Sequence, residues 1–250
     1  MPHQFALSLT ALDVLLEQLR LGRAPAPFEV PFTGGTVDER AQVRGAVFRE
    51  LENRGLAGHG RFDPDLELAL HTFVGAPVAI TAVAQLDDGE QLFARAASNG
   101  QYAMVVKQDR DSLIFTGARP TAIVPGIVDL LPVTRAAAGQ SVTVAKPAKR
   151  PKHRLEEDDH FADVSRPRST APAQMRMVER IFAKPKLRIG QFSAVVRGQR
   201  LTPTAWFDTE EGRYFVTSRE AEDGQSWVTY APADSARIAH HIFEQIQPYQ

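Results

Sequence analysis

Two stretches that lie far apart in this chain carry the same turn chemistry. Residues Ala97, Ser98, Asn99, Gly100, Gln101, Tyr102, Ala103, Met104 and Val105 are echoed by Thr209, Glu210, Glu211, Gly212, Arg213, Tyr214, Phe215, Val216 and Thr217. In each, a strand runs into a tight turn at glycine and returns as a strand. Each is followed by a polar turn, a short strand beginning at Ser112 or Ser226, a proline (Pro120 or Pro232), and an apolar-periodic helix ending near Pro132 or Pro248. A unit of strands closed by a helix and stated twice predicts one sheet built from two related halves. That architecture suits a binding surface better than a catalytic cleft.

The strand spacing supports an antiparallel arrangement. From Pro77 to Gly117 short strands are separated by Asp87-Asp88-Gly89, Asn99-Gly100 and Asp109-Arg110-Asp111. Turns this close leave no room for crossover helices, so the strands are expected to pair as a meander. Ahead of them, Phe5, Leu7 and Leu9 alternate as in a strand, and Thr10 is the expected N-cap of a helix carrying Leu12, Leu15, Leu16 and Leu19 and ending at Gly22. The segment from Pro25 to Pro31 is too proline-rich for a helix and is expected to run extended. Thr36 with Glu39 makes a capping box for a helix that stops at Gly55. Asp63-Pro64 starts a third helix, with Leu66, Leu70, Phe73 and Val74 on one face.

After a helix through Ile123, Ile127, Val128 and Leu131 and a strand at 141–144, the composition shifts. Residues 146–172 open with Lys146, Lys149, Arg150, Lys152 and Arg154, then Glu156, Glu157, Asp158 and Asp159, with few large apolar side chains. This predicts a charged flexible linker that tethers the halves. The second half then offers a helix around Met175, Val178, Ile181 and Phe182, and strands at 191–196, 205–208, 214–217 and 227–230. A last helix after Asp234 carries Ile238, Ile242, Phe243 and Ile246. The expected organisation is one domain over 1–250, with a first half at 1–145, the linker at 146–172 and a second half at 173–250.

Composition narrows the chemistry. A net charge of −1 gives no case for a nucleic-acid binder, which needs a concentrated positive field. Without cysteine there is no disulfide, thiolate catalysis or Cys-ligated metal. The start, Met1-Pro2-His3-Gln4, lacks a basic segment followed by an apolar run, and no stretch approaches the roughly 20 apolar residues of a membrane span. Cytoplasmic location without membrane insertion is the expectation.

Catalytic signatures are absent: no Gly-rich phosphate loop, no paired-His zinc helix, no Gly-x-Ser-x-Gly elbow. Glu156, Glu157, Asp158, Asp159 and His160 have the right donors for a metal but lie in the predicted linker, which favours a solvated charge run. His240 and His241, with Glu244 one turn on, fit the edge of a helix as well as they fit a metal site. Asp208, Glu210 and Glu211 flank Gly212 in a predicted hairpin turn, where acids serve conformation rather than acid–base work. No cofactor and no catalytic residue is expected. Trp206 and Trp227 fall on neighbouring candidate strands, and both core and interface roles fit them.

The order of further motifs resembles a known family. Leu9-Thr10-Ala11-Leu12-Asp13-Val14-Leu15, Leu21-Gly22 and the run from Pro25 to Pro31 are similar to the start of the EspG family of type VII (ESX) secretion-associated chaperones of actinobacteria. The likeness continues through Asp38-Glu39-Arg40, Leu51-Glu52-Asn53-Arg54-Gly55-Leu56 and Leu66-Glu67-Leu68-Ala69-Leu70. It reappears in Trp206-Phe207-Asp208-Thr209, Gly212-Arg213-Tyr214 and the run from Trp227 to Asp234. The resemblance implies an α+β fold with a central antiparallel sheet, flanking helical bundles and quasi-two-fold symmetry. It also implies a non-enzymatic cytosolic chaperone that binds the helical tip of a PE–PPE-type heterodimer, keeps it soluble and directs it to its secretion system. From strand position, the expected partner contacts are Gln85, Asp87, Asp88, Phe93 and Arg95, with Trp227 and Thr229 in the second half. The competing reading is a small-molecule-binding or regulatory α+β protein with a ligand cavity between its halves.

Overall fold

A computed structural model describes residues 4–145, 172–221 and 225–249. The first half runs β1 (Gln4–Ser8), α1 (Leu9–Gln18), α2 (Val37–Asn53), a small hairpin of β2 (Ala57–Gly58) and β3 (Arg61–Phe62), and α3 (Pro64–Gly75). It continues as β4 (Val78–Gln85), β5 (Gln91–Ser98), β6 (Ala103–Asp109), β7 (Ser112–Ala118) and α4 (Ile123–Val128). The second half runs β8 (Val142–Ala145), α5 (Pro172–Phe182), β9 (Arg188–Val196), β10 (Gln199–Arg200), β11 (Thr204–Thr209), β12 (Gly212–Glu220), β13 (Ser226–Pro232) and α6 (Ser235–Ile246).

The helices start where local chemistry satisfies their free N–H groups. Thr36 and Glu39 form the expected capping box on α2. Asp63 accepts from Asp65 and Leu66 ahead of α3, with Pro64 in its first turn, and Asp234 caps α6 by accepting from Arg237. The first helix differs from expectation: its cap is Ser8, whose Oγ accepts from the Ala11 N–H at 3.1 Å, so Thr10 lies inside the helix. Ser8 is still extended as the last residue of β1, and the chain turns directly from strand to helix there.

All but the small β2–β3 pair belong to one antiparallel sheet, in the order β1-β7-β6-β5-β4-β9-β11-β12-β13-β8, with β10 on β9. The order corresponds when read from either edge. An early strand borders a meander of four main strands, and the two meanders meet at β4 and β9. Eight residue pairs, from Val78 opposite Val196 to Gln85 opposite Ile189, form that seam. The halves therefore share a ladder, and the expectation that only a tether joins them is corrected. A β4–β9 ladder links residues far apart in sequence, so no local pattern announces it.

Three apolar layers hold the sheet. On one face Ile80, Ala82, Ala84, Leu92, Ala94, Ala96, Phe192, Ala194 and Trp206 pack under α4 and α6, led by Ile127, Val128, Ile238, Ile242 and Ile246. The alanines let the helices approach closely: a Cβ on Gly126 of α4 would stand 3.1 Å from Val105 Cγ2. On the opposite face α1, α2 and α3 cover Ala97, Met104, Val106, Leu113 and Phe115 of the first half. On that same side α5 covers Val142, Val144, Phe207, Tyr214 and Tyr230 of the second half. Each fully buried Leu, Ile or Phe contributes about 1.5–3 kcal/mol.

Several boundaries shift. α4 spans six residues and stops at Val128, short of the predicted Leu131. β9 begins at Arg188, three residues before the predicted strand, and Pro172 opens α5 rather than closing the linker. Trp206 and Trp227 are not on neighbouring strands, because β12 lies between β11 and β13.

Candidate functional site

Residues opposite one another in an antiparallel ladder share a face. Gln91, Phe93 and Arg95 of β5 thus lie with Gln85, Val83 and Thr81 of β4, and these with Ile189, Gln191 and Ser193 of β9. Ala205 of β11 stands opposite Gln191 on the same face. This is the face that carries α1–α3 on one flank and α5 on the other. Between them the strands alternate in exposure: Ala82, Ala84, Leu92, Ala94, Phe192 and Ala194 are buried under α4 and α6, whereas Thr81, Val83, Phe93, Arg95, Ile189, Ser193 and Val195 are half-buried and Gln85, Gln91 and Gln191 exposed. The centre of the sheet is an open strip that mixes aliphatic and amide surface.

Its walls are tied to the sheet. On the first-half side, the Thr81 hydroxyl donates to the Ala26 carbonyl at 3.4 Å, and Arg95 Nε donates to the Phe73 carbonyl in the last turn of α3 at 3.1 Å. Burial lowers the Arg95 guanidinium to about 10. On the other side, Lys186 Nζ donates to the carbonyls of Ile181, Phe182 and Lys184 at 3.1, 3.0 and 2.7 Å, fastening the end of α5 beside β9. Lys186 also lies over the Phe182 and Phe207 rings, and burial lowers its pKa.

The β4–β5 turn closes one end of the strip. The Asp87 carboxylate accepts from Arg188 Nε, 2.9 Å to each oxygen, and the Arg188 Nη2 stands 2.7 Å from Oδ2. Arg188 Nη1 reaches Asp208 at 3.2 Å and the Thr134 hydroxyl at 3.1 Å. Hydrogen bonding to Asp87 first, and then to Asp208, raises the Arg188 pKa against the opposing effect of burial. Asp208 in turn accepts from Arg213 Nε at 2.7 Å and Nη2 at 2.9 Å. Arg213 is fully buried, stacks 4.7 Å over Trp206, and donates to the Ser235 hydroxyl and the Pro132 carbonyl. Alternating charges thus link the turn to β9, β11, β12 and the start of α6.

Of the residues singled out from sequence, Gln85, Phe93 and Arg95 lie on the strip, and Asp87 and Asp88 lie in the turn at its end. Asp88 holds a left-handed backbone, φ 53°, in an exposed position. Trp227 and Thr229 lie elsewhere. Register puts them on the α4/α6 face, with Trp227 opposite Arg219 and Ala145 and the Thr229 hydroxyl 2.9 Å from that of Thr143. They are five strand spacings from β5, roughly 24 Å. Trp206 is buried in the core, and Trp227 is 36% exposed. The sequence reading missed Ile189, Gln191, Ser193 and Val195, although the alternation of Gln191, Ser193 and Val195 with Phe192, Ala194 and Val196 was there to be read. What it lacked was the neighbour of β9.

The chemical candidates disperse. Glu156 to His160 lie outside the described residues. His240 is exposed and pairs with Glu244 at 3.3 Å, while His241 packs edge-on against Phe215. Among the described residues no three metal-competent side chains cluster. Asp208 ends the predicted strand and lies in β11, but it is buried in ion pairs rather than serving the turn; Glu211 pairs with Lys184, and Glu210 is exposed. A cleft of about 1000 Å³ lies under the proline-rich segment, lined by Leu16, Phe28, Val30, Phe32, Asp13 and Arg40 among others. It belongs to the first half rather than to the junction of the halves. Arg40 spans it, paired with Asp13 and Glu17 and donating to the Thr33 carbonyl at 2.8 Å.

Comparison with known proteins places this geometry. The family model described as EspG family matches residues 8–244. No curated protein sequence matches the chain. Among solved structures, the chain is similar to the Mycobacterium tuberculosis type VII secretion system chaperone EspG5, solved in complex with a PE25–PPE41 dimer. That likeness has a TM-score of 0.65 at 10% identity and covers 98% of this chain and 96% of the other. At that identity the likeness is one of fold.

Proposed function

The chain belongs to the EspG family, and from that premise we propose that it is a cytoplasmic, non-enzymatic chaperone for a PE–PPE-type helical heterodimer of type VII secretion. It would keep the pair soluble and direct it to its secretion system. The observation that carries the reading is the open strip at the centre of the sheet. Four strands, β5, β4, β9 and β11, span three spacings, roughly 14 Å. A helix with its side chains measures about 10–12 Å across, so these four strands make a floor of about the width that one helix end covers. Val83 and Val195, with Phe93 and Ile189 against the flanking helical clusters, provide apolar surface, and Gln85, Gln91 and Gln191 the polar groups that a specific docking surface needs.

Covering an apolar tip removes an aggregation-prone patch from the partner, which is a chaperone's task and requires no turnover. Gln85, Asp87, Asp88, Phe93 and Arg95 are the proposed contacts on this face. Trp227 and Thr229 join them only where the partner extends to the opposite face. Co-expression with a PE–PPE-type pair, followed by size-exclusion chromatography with mass measurement, tests the reading. One complex of all three chains is expected; separate elution of chain and pair, with the pair's solubility unchanged, rejects it.

A further inference from the structure

We infer that Arg95 is the receptor for a carboxylate supplied by the bound partner. The inference rests on the docking reading above and names the chemistry of one contact within it. Arg95 is half-buried in the floor of the open strip, opposite Thr81 on β4 and Val106 on β6. Its Nε is spent on the Phe73 carbonyl, which fixes the plane of the guanidinium. Its two terminal nitrogens make no hydrogen bond among the described residues, and the side chain is half-buried rather than enclosed.

The contrast with the other inward-facing arginines is the argument. Arg40 holds Asp13 and Glu17, Arg188 holds Asp87 and Asp208, and Arg213 holds Asp208. Arg95 has a backbone carbonyl and no carboxylate among the described residues. A guanidinium that is partly desolvated and uncompensated is unfavourable in the free chain. It becomes favourable when an anion arrives, since a fork held in one plane meets a carboxylate through two parallel bonds. A neutral helix tip would leave this cation buried and unpaired, so Arg95 also selects against partners without the acid.

The test compares Arg95→Met and Arg95→Lys with the unaltered chain, measuring binding to a PE–PPE-type pair at low and raised salt and thermal unfolding of each free chain. R95M is expected to weaken binding about tenfold or more, the size of a lost charge-assisted bond, and to flatten its salt dependence. R95K is expected to fall between the two. The melting temperature of free R95M is expected to stay level or rise, because an uncompensated charge has been removed. R95M binding as tightly as the unaltered chain overturns the inference and leaves the docking reading standing. A clear fall in the melting temperature of free R95M also overturns it, making Arg95 a cap for α3. If the unaltered chain does not bind the pair, the docking reading fails and this inference falls with it.

Discussion

Arg213 and Asp208 are both buried, and each is the other's counter-charge. Asp208 also holds Arg188, but Arg213 has Asp208 alone, so removing Asp208 leaves an uncompensated guanidinium in the interior, at a cost of about 3–5 kcal/mol. Asp208→Ala is therefore expected to lower unfolding free energy by that order in chemical denaturation, far more than Glu210→Ala in the exposed turn beside it. His241 provides a pH test at the same scale. Burial lowers its pKa from the ordinary 6.5, with Glu244 opposing and His240 assisting, and its Nε2 is buried without a partner. The unfolded chain then takes up this proton at a higher pH than the folded chain does. The contribution is complete above about 6.5 and is lost as pH falls through 6.5 toward the folded value. Stability measured between pH 7 and pH 5.5 is expected to decline less in His241→Gln than in the unaltered chain. Little of this was legible in sequence: the predicted strand at 205–208 reached Asp208, but the residue read as an acid flanking a turn, because its partners come from three other segments.

At the scale of elements, the legible features were those whose causes are local. The capping box on α2 and the Asp63-Pro64 start of α3 are written in four or five adjacent residues, and the structure carries both. Thr36→Ala is expected to cost about 1 kcal/mol, read as a shift of the denaturation midpoint. The meander turns were equally local. The start of β9 was obscured because Lys184-Pro185-Lys186-Leu187 reads as a loop and Gly190 interrupts the strand pattern. The structure supplies the reason for that glycine. A Cβ there would stand 2.6 Å from Ala84 Cβ, 2.8 Å from the Val83 carbonyl and 2.9 Å from Trp206 Cε2. Gly190→Val is expected to force the central strands apart and lower stability by about 1–3 kcal/mol or more, with Gly58→Val, at an open position, as the neutral control.

For the whole molecule, the central fact is that β4 and β9 join two meanders into one sheet while the helices leave its middle uncovered on one face. The sequence revealed the strands and their alternation but not which strands are neighbours, and only the neighbours say which side chains share a surface. That is why Gln85, Phe93 and Arg95 come together on the strip while Trp227 and Thr229 lie on the other face. The measurement that tests the central claim most directly is recovery of a PE–PPE-type pair with three forms of the chain: unaltered, Val83→Arg with Gln191→Arg, and Thr229→Arg. The account predicts that the unaltered chain and T229R elute as a complex with the pair, whereas the double variant melts cooperatively yet elutes alone. A double variant that binds as well as the unaltered chain, or a T229R that alone abolishes the complex, would contradict it.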